Sequence, residues 1–307
     1  EVLYACAGMR LPFVITAVNR SISAPINIQV DHQDTMSLRD AGLIQFYVES
    51  CQEAYDIHLA AFKIAEDPAI MLPVMVCMDG WVLTHSYERV ELLDQETVDQ
   101  FLPGFQPQNY LDPSNPKTWG SYAEADVLME FKYAIHQAMT AGKPRIREIL
   151  AEVATITGRD HGGLIEAYRT DDADVVLVAM GSVVGTIKDA VDELRHGGKK
   201  VGLVKIRCYR PFPHTEILEA VRGARVVAVM DANFSMGSEG AVGLDLKAKL
   251  YGRPNAPIVI DYIAGLGGRE INMNTIGKLV ERAEQVYRSG IILPESEWVD
   301  LNPALLG

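Results

Sequence analysis

Arg20 is the residue of this sequence with the clearest capacity for chemistry. The apolar, β-branched run at residues 13–18 predicts a buried strand, and Arg20 follows directly after its end. In a parallel α/β sheet, ligands bind outside the carboxyl ends of the strands, which is where this guanidinium would emerge. Its planar set of donors suits a carboxylate or a phosphate. On spacing alone, a salt-bridged arginine at a strand end is the commoner explanation, so both interpretations stay open.

Polar residues gather near two predicted strand ends. Residues 31–34 are consecutively polar, and the apolar run at 71–78 predicts a second buried strand that ends at Asp79-Gly80. The candidate site residues beside Arg20 are Asn19, Asp31, His32, Asp34, Asp79 and His85. The alternative is structural: a solvated turn or helix start at 31–34, a turn carboxylate at Asp79, and a hydrogen-bonded histidine at position 85.

The elements of the first half must bring these strand ends together. Residues 1–8 predict the end of a helix, and helical spacing over 41–66 predicts two helices broken near 49–53, with Ser50 and Glu53 as a capping box. Residues 102–119 are rich in Pro, Asn and Asp without periodicity, which favours a long loop that contacts a neighbouring subunit. Residues 122–157 are helical in spacing, with a break at 142–144, and 158–163 close this half.

The second half alternates strands with helices. Strands are predicted at 174–180, 201–206, 225–230 and 258–263, and helices at 186–195, 214–221 and 239–250. This alternation predicts a parallel sheet with right-handed crossovers. The glycine-rich turns at 181–185 and 265–268 follow strands, but neither completes a dinucleotide fingerprint or a P-loop. We therefore expect tight turns without a ligand there.

Composition narrows the class of protein. The 307 residues are 48% hydrophobic and 22% charged, enough for two globular domains. A net charge of −13 argues against nucleic-acid binding, and no apolar run reaches the roughly 20 residues of a membrane helix. The four isolated cysteines, at 6, 51, 77 and 208, form no iron–sulfur ligand pattern. We expect buried thiols, a reducing cytoplasm and no signal peptide.

A series of short motifs resembles one family in sequence order. In the first half these are residues 19–28 (NRSISAPINI), 31–34 (DHQD), 39–42 (RDAG), 72–80 (LPVMVCMDG) and 84–85 (TH). In the second half they are 181–185 (GSVVG), 209–213 (YRPFP) and 264–269 (AGLGGR). Together they resemble the α subunit of pyruvate:ferredoxin oxidoreductase, within the wider family of 2-oxoacid:ferredoxin oxidoreductases, over nearly the whole chain.

The resemblance implies an α/β fold in two parts. Residues 1–163 would form a parallel-sheet domain of the thiamine-diphosphate-binding, pyrimidine-domain type. Residues 164–307 would form an α/β domain like the C-terminal domain of transketolase, followed by a C-terminal tail. The chain begins inside a predicted helix without a methionine, so we expect the N-terminal part of the first domain to be missing.

The same resemblance implies a function. Members of this family cleave a 2-oxo acid with thiamine diphosphate, release CO₂, pass electrons through [4Fe-4S] clusters to ferredoxin and transfer the acyl group to coenzyme A, reversibly. Arg20 matches the family's arginine for the substrate carboxylate, and the other candidates would support it. The glutamate that activates the cofactor would lie upstream of residue 1, so no cofactor-binding residue is assigned here.

Partners follow from the same resemblance. The β subunit would hold the diphosphate, Mg²⁺ and a cluster, so this chain would carry no metal site and would be inactive alone. With γ and δ subunits it would form a cytoplasmic hetero-oligomer, possibly doubled, and it would bind neither nucleic acid nor membrane.

The sequence departs from the family near the substrate. Pyruvate-using relatives often carry tryptophan and asparagine around positions 26 and 29–30, where this chain has Ile26, Gln29 and Val30. Pyruvate is the first choice, with oxalate or a branched-chain 2-oxo acid as alternatives. A non-catalytic scaffold subunit and a transketolase-like enzyme without redox chemistry are the rival functions.

Overall fold

A computed structural model describes residues 1–107, 109–291 and 295–306. The first half of the chain alternates helices and strands around a small sheet. In order, its elements are α1 (Val2–Gly8), β1 (Val14–Asn19), α2 (Gln33–Met36), β2 (Ile44–Tyr47), α3 (Cys51–Glu66), β3 (Val74–Asp79), α4 (Gln95–Phe101), α5 (Leu128–Ala141) and α6 (Lys143–Thr157).

The second half contains most of the strands. Its elements are β4 (Ile165–Tyr168), β5 (Val175–Ala179), α7 (Val183–His196), β6 (Val201–Ile206), β7 (Cys208–Arg210), α8 (His214–Ala220), β8 (Val226–Asp231), α9 (Ala241–Leu250), β9 (Ile258–Ile263), α10 (Met273–Ser289) and β10 (Glu297–Trp298), with short 3₁₀ turns at Leu266–Gly268 and Pro303–Leu305.

The described strands form two sheets that share a core. The first has the order β1-β3-β2-β7 and the second the order β10-β9-β8-β5-β6-β4. Met75 and Cys77 of β3 belong to the same buried apolar cluster as Val176 and Val178 of β5. Because close packing of these side chains excludes water, the two sheets are held against each other. No described helix is both long and apolar enough to cross a membrane.

The predicted strands at 13–18, 71–78, 174–180, 201–206, 225–230 and 258–263 are confirmed within two or three residues at each end. The helical break at 142–144 is also confirmed, because α5 ends at Ala141 and α6 begins at Lys143 with a proline in its first turn. The all-parallel expectation is wrong at two edges, where β4 pairs antiparallel to β6 and β7 antiparallel to β2. The strands β4 and β7 and the helix α10 were not predicted.

Of the two helices predicted over 41–66, the second is confirmed as α3 and the first is wrong. Residues 44–47 form β2, which lies between β3 and β7, and all four of its residues are buried. Apart from Gln45 the strand is apolar or aromatic, and so short a run cannot be told from a buried helix by its spacing. The capping at Ser50 is confirmed in part: its Oγ accepts from the Glu53 amide at 3.1 Å, but the Glu53 carboxylate accepts from Glu49 rather than from Ser50.

The thiol prediction holds for half of the cysteines. Cys77 and Cys208 are buried, whereas Cys6 and Cys51 are only partly buried. Burial raises the pKa of the Cys77 and Cys208 thiols above their ordinary range, so these thiols stay protonated. The division of the chain after residue 163 stays a prediction.

Candidate functional site

The carboxyl ends of β1 and β3 lie side by side, with Asn19 paired to Asp79 in the parallel register. The buried Asn19 amide donates to Asp34 Oδ1 at 2.7 Å and to Thr35 Oγ1 at 2.8 Å. Asp34 Oδ2 in turn accepts from the backbone N–H of Arg20 at 3.1 Å. Two residues that sequence analysis grouped with Arg20 therefore hold the backbone from which its side chain departs.

The Arg20 side chain itself is exposed. Its Nη1 donates to the carbonyl of Ser21 at 3.1 Å, and no carboxylate of the described residues lies within ion-pair distance of it. The salt-bridged arginine considered above is thus not found in the described part of the chain. Three apolar side chains on the same segment are also exposed, namely Val18 at 46%, Ile22 at 57% and Ile26 at 63%. A free cation therefore lies among apolar side chains at the sheet edge.

His32 and Asp79 form a buried pair. His32 Nε2 lies 2.7 Å from Asp79 Oδ1, and the two side chains are 2% and 4% exposed. Burial lowers the pKa of His32, but the negative charge and hydrogen bond of Asp79 outweigh it, so the net effect is to raise that pKa. Burial would raise the pKa of Asp79, yet His32 and Ser182 together lower it. Both directions favour an imidazolium–carboxylate pair.

Asp79 also connects the two sheets. Its Oδ2 accepts from the backbone N–H of Ser182 at 2.7 Å and from the Ser182 hydroxyl at 2.6 Å. Gly181 adopts φ +79°, and a Cβ there would lie 2.6 Å from Asp79 Oδ2. Only glycine allows this approach, because it tolerates positive φ and has no side chain. The glycine-rich turn at 181–185 therefore binds a carboxylate of its own chain.

The loop after Arg20 is held at several points. Asp31 accepts from the Ser21 hydroxyl at 2.6 Å and from the Gln33 amide at 2.8 Å. The second glycine-rich turn contacts the same loop, since the Gly267 amide donates to Val30 O at 2.9 Å. Asp31 thus stabilises the loop and spans its base.

A cleft of about 220 Å³ lies between this loop and the carboxyl ends of the second sheet, and its lining includes His32, Asp79, Ser182, Ala232 and Arg269.

His85 lies apart from the other candidates. Its exposed ring stacks on Trp81 with centroids 4.4 Å apart, and its Nδ1 is 3.0 Å from Thr84 Oγ1. None of the described contacts joins it to Arg20, Asp34 or His32. Within the described residues, no group of three or more His, Cys, Asp or Glu side chains could hold a metal ion.

Two family models match this chain. Residues 1–150 match the thiamine-diphosphate-binding domain of pyruvate flavodoxin/ferredoxin oxidoreductases, and residues 173–276 match core domain II of pyruvate:ferredoxin oxidoreductase. Among curated proteins, pyruvate synthase subunit PorA of Methanosarcina barkeri is 48% identical over all of this chain and 76% of its own length. The PorA subunit of Pyrococcus furiosus is 44% identical over 98% of this chain and 76% of its own length.

The chain belongs to the pyruvate:ferredoxin oxidoreductase family, as an α subunit.

The prediction of a thiamine diphosphate-dependent oxidoreductase subunit is therefore confirmed, and so is the predicted fold class. The fold is also seen in 2-oxoglutarate:ferredoxin oxidoreductase from Magnetococcus marinus, a structure with 2-oxoglutarate, coenzyme A and succinyl-CoA bound. That protein has a TM-score of 0.61 and 16% identity, over 92% of this chain and 50% of its own. At this identity the likeness concerns the fold alone.

Family membership leaves the substrate of this α subunit open among 2-oxo acids. Ketoisovalerate oxidoreductase subunit VorA of Pyrococcus abyssi is 41% identical over 98% of this chain and 76% of its own length. Ile26 and Gln29 lie on the loop that follows Arg20, where the sequence analysis expects a departure from pyruvate-using relatives. Sequence analysis missed Ser182 as a partner of Asp79. The only signal was a Gly-Ser pair directly after a strand, and this does not reveal which side chain it contacts.

Proposed function

We propose that this α subunit presents Arg20 to the carboxylate of a 2-oxo acid, with pyruvate as the first choice. The complex would oxidise pyruvate to acetyl-CoA and CO₂, pass the electrons to ferredoxin, and run in either direction. The observation that carries the proposal is a guanidinium at a strand's carboxyl end with no carboxylate of the described residues to neutralise it. Its planar donors suit two carboxylate oxygens at once.

The residues around Arg20 have a supporting role in this proposal. Asp34 accepts from the backbone N–H of Arg20 and from the Asn19 amide, which limits the movement of the strand end. The buried pair of His32 and Asp79 fixes the following segment against the second sheet. A guanidinium held by its backbone loses less conformational freedom when it binds a carboxylate. The fixed backbone therefore favours binding of the substrate.

The ion pair between Arg20 and a substrate carboxylate would be strong only if water were excluded from Arg20. An ion pair exposed to water contributes only about 0–1 kcal/mol, whereas the same pair in a dry site contributes several times more. The exposed Val18, Ile22 and Ile26 provide the apolar surface that a partner subunit would bury. Both facts support activity only in the assembled complex.

Bound thiamine diphosphate would supply the electron sink for the cleavage of the 2-oxo acid. The described residues of this chain offer no metal-binding group, and the sequence has no Gly-Asp-Gly motif for the diphosphate and Mg²⁺. We assign both to the β subunit, the [4Fe-4S] clusters to partner subunits, and coenzyme A to the role of co-substrate. The γ and δ subunits and ferredoxin complete the proposed partners, in a cytoplasmic hetero-oligomer that could be doubled.

The test replaces Arg20 in the assembled complex. CoA-dependent reduction of a redox dye is measured with a panel of 2-oxo acids for wild type, Arg20→Ala and Arg20→Lys. Loss of a charge-assisted pair in a dry site costs roughly 2–4 kcal/mol, so kcat/KM should fall at least about tenfold for Arg20→Ala. Lysine should rescue only part of the loss, because it lacks the planar fork.

Arg222→Ala is the matched control, since that arginine is 78% exposed and, among the described residues, pairs with one exposed glutamate. Kinetics of Arg20→Ala equal to those of this control would contradict the proposal. Iron, sulfide and thiamine diphosphate in the purified complex separate the redox enzyme from a transketolase-like enzyme or a scaffold.

A branched-chain 2-oxo acid is the second candidate substrate. It rests on Ile26, Gln29 and Val30 in the loop after Arg20. The ketoisovalerate oxidoreductase subunits are 41% identical to this chain, below the 44% and 48% of the two pyruvate synthase subunits. In the same panel, a higher kcat/KM for 2-oxoisovalerate than for pyruvate would establish this alternative.

A further inference from the structure

A second, larger cleft lies at the opposite edge of the first sheet. It has a volume of about 390 Å³ and is bounded by α5, by the segment before β2 and by the residues after β7. Because β1 and β2 both run parallel to β3, the start of β2 lies at the other end of the sheet from Arg20. Six residues of β1 span roughly 16 Å, at about 3.3 Å per residue. The cleft is therefore separate from the Arg20 edge.

The lining of this cleft is strongly cationic in a chain of net charge −13. Seven of its residues carry a cationic or imidazole side chain: Arg39, Lys132, His136, Lys143, Arg210, His214 and Lys249. Asp40 is the one carboxylate among the lining residues that the structure describes. Such a concentration of positive charge in a concave site attracts anions.

Three of the cations form no ion pair with a carboxylate of the described residues. Arg210 pairs with Asp245 at 2.9 Å, and Arg39 lies 4.0 Å from Asp40. By contrast, Lys132, Lys143 and Lys249 have no carboxylate within 4.0 Å in the described part of the chain. The Lys143 Nζ instead donates to the carbonyl of Phe212 at 2.5 Å, which fixes the ammonium group in the cleft.

The unneutralised charges act on one another. Burial lowers the pKa of His214, and the positive charges of Lys143 and Lys249 lower it further. Burial likewise lowers the pKa of Lys143. The negative charge of Glu216 opposes this, and the positive charges of Arg147 and Lys249 add to the lowering. An anion in the cleft would relieve this repulsion, so the protein retains a favourable interaction for it to make.

Most of the remaining lining is apolar or aromatic. Tyr4, Ile135, Met139 and Phe212 lie in the wall of the same cleft. An inorganic anion would leave these side chains without a partner, whereas an organic phosphate would bury its apolar body against them. The volume also falls within the roughly 300–1,000 Å³ of small-molecule sites.

We propose that this cleft binds an organic ligand with two or more phosphate groups, such as a nucleotide, at a distance from the Arg20 site. The three lysines bind the phosphates as point charges, and the apolar wall packs against the organic part. The site does not lie at the carboxyl ends of the strands, where Arg20 is. Its occupant therefore acts as an effector or is the phosphate-bearing end of a larger ligand.

Equilibrium binding to the intact complex tests the proposal, with ADP, inorganic pyrophosphate and coenzyme A as probes. Wild type is compared with Lys132→Glu/Lys249→Glu, which reverses two exposed charges, and with Lys132→Gln/Lys249→Gln, which removes them without reversal. Lys278→Glu is the control, because that lysine is exposed and lies outside the cleft. Melting temperature and size-exclusion volume show that each variant is folded and assembled.

The expected result is saturable ADP binding to wild type that weakens at least tenfold in the reversal variant, less in the glutamine variant and not in Lys278→Glu. Pyrophosphate should bind more weakly than ADP, since it cannot use the apolar wall. If the reversal variant also binds less coenzyme A than wild type, the co-substrate is the source of the phosphates. If it binds ADP more weakly and coenzyme A as well as wild type does, the ligand is a nucleotide effector. Absence of saturable ADP binding, equal affinity in all variants, or a reversal variant whose sole defect is dissociation of the complex would overturn the proposal.

Discussion

Replacement of Glu53 by glutamine should destabilise the protein strongly. The Glu53 carboxylate is fully buried at the first turn of α3, and it accepts from Lys205 Nζ at 2.7 Å, from the Glu49 amide at 2.7 Å and from Arg207. Lys205 and Arg207 are themselves 1% exposed and come from β6 and the residue after it. Glu53→Gln removes the charge that holds two buried cations of the second half against α3.

The magnitude follows from the pKa of Glu53. Burial would raise it, but the charges of Arg207 and Lys205 lower it from 4.5 to about 2. That difference corresponds to about 3 kcal/mol of stability at neutral pH. Removal of one member of a buried ionic group typically costs about 3–5 kcal/mol, which agrees. Since the folded-state pKa is depressed, this stability is present above pH 4.5 and is lost as the pH falls toward 2.

Thermal unfolding provides the assay. With an unfolding entropy of about 2.1 cal/mol/K per residue, a loss of about 3 kcal/mol in 307 residues lowers Tm by about 5 °C. Glu219→Gln is the control, because its carboxylate is 74% exposed and pairs with an exposed arginine; its Tm should change by less than about 1 °C. Lys205→Met added to Glu53→Gln should recover part of the loss, since Lys205 would otherwise stay buried with the half-buried Glu49 as its remaining described carboxylate partner. A Tm for Glu53→Gln within 1 °C of wild type would refute the reasoning.

Three further predictions concern the loops and the second sheet. Asp34→Asn should lower kcat/KM for the 2-oxo acid about tenfold without loss of fold, because either the backbone amide of Arg20 or the side chain of Asn19 loses its acceptor. The control Asp126→Asn, at an exposed position, should leave kcat/KM unchanged, and dye-reduction kinetics measure both. Gly181→Ala should lower the free energy of unfolding by denaturant by about 2 kcal/mol, since its Cβ would clash with Asp79. The Cβ of Gly185→Ala would have no atom within 4 Å, so this control should be neutral or stabilising; equal effects would contradict the prediction. Burial and the adjacent Asp261 raise the pKa of Asp231 well above 3.8. Wild-type stability should therefore fall as the pH rises above 3.8, until Asp231 ionises in the folded protein, and Asp231→Asn should flatten the Tm profile over that range; parallel profiles would rule this out.

Much of the fold could be predicted because the strands are short, buried and apolar, and glycine or proline separates them from the helices. The segment at 44–47 shows the limit of this approach. Its four residues, Ile-Gln-Phe-Tyr, are too few to show a period, and only pairing with β3 and β7 makes them a strand. The strand β7 has three residues and no pattern of its own, so no local signal predicts it.

The candidate site divides in the same way. Arg20 and Asp79 were predicted because each follows an apolar run at a strand end, and Asp31, His32 and Asp34 because they lie in a run of polar residues within a motif of the family. Their partners were not, because Ser182 lies 103 residues from Asp79 and is brought to it by the packing of the two sheets. His85 was grouped with them by sequence proximity, yet the turn at residues 80–85 directs its ring onto Trp81.

The sequence by itself determined the family, the order of most elements and the position of Arg20 at a strand end, because local apolar runs and short motifs carry that information. Only the tertiary structure decided that Asp34 holds the Arg20 backbone, that Asp79 joins the two sheets, and that Lys132, Lys143 and Lys249 share one cleft. The physical reason is that hydrogen bonds and charge interactions act over a few ångströms in space. The residues that make them here are tens to more than a hundred positions apart in the chain.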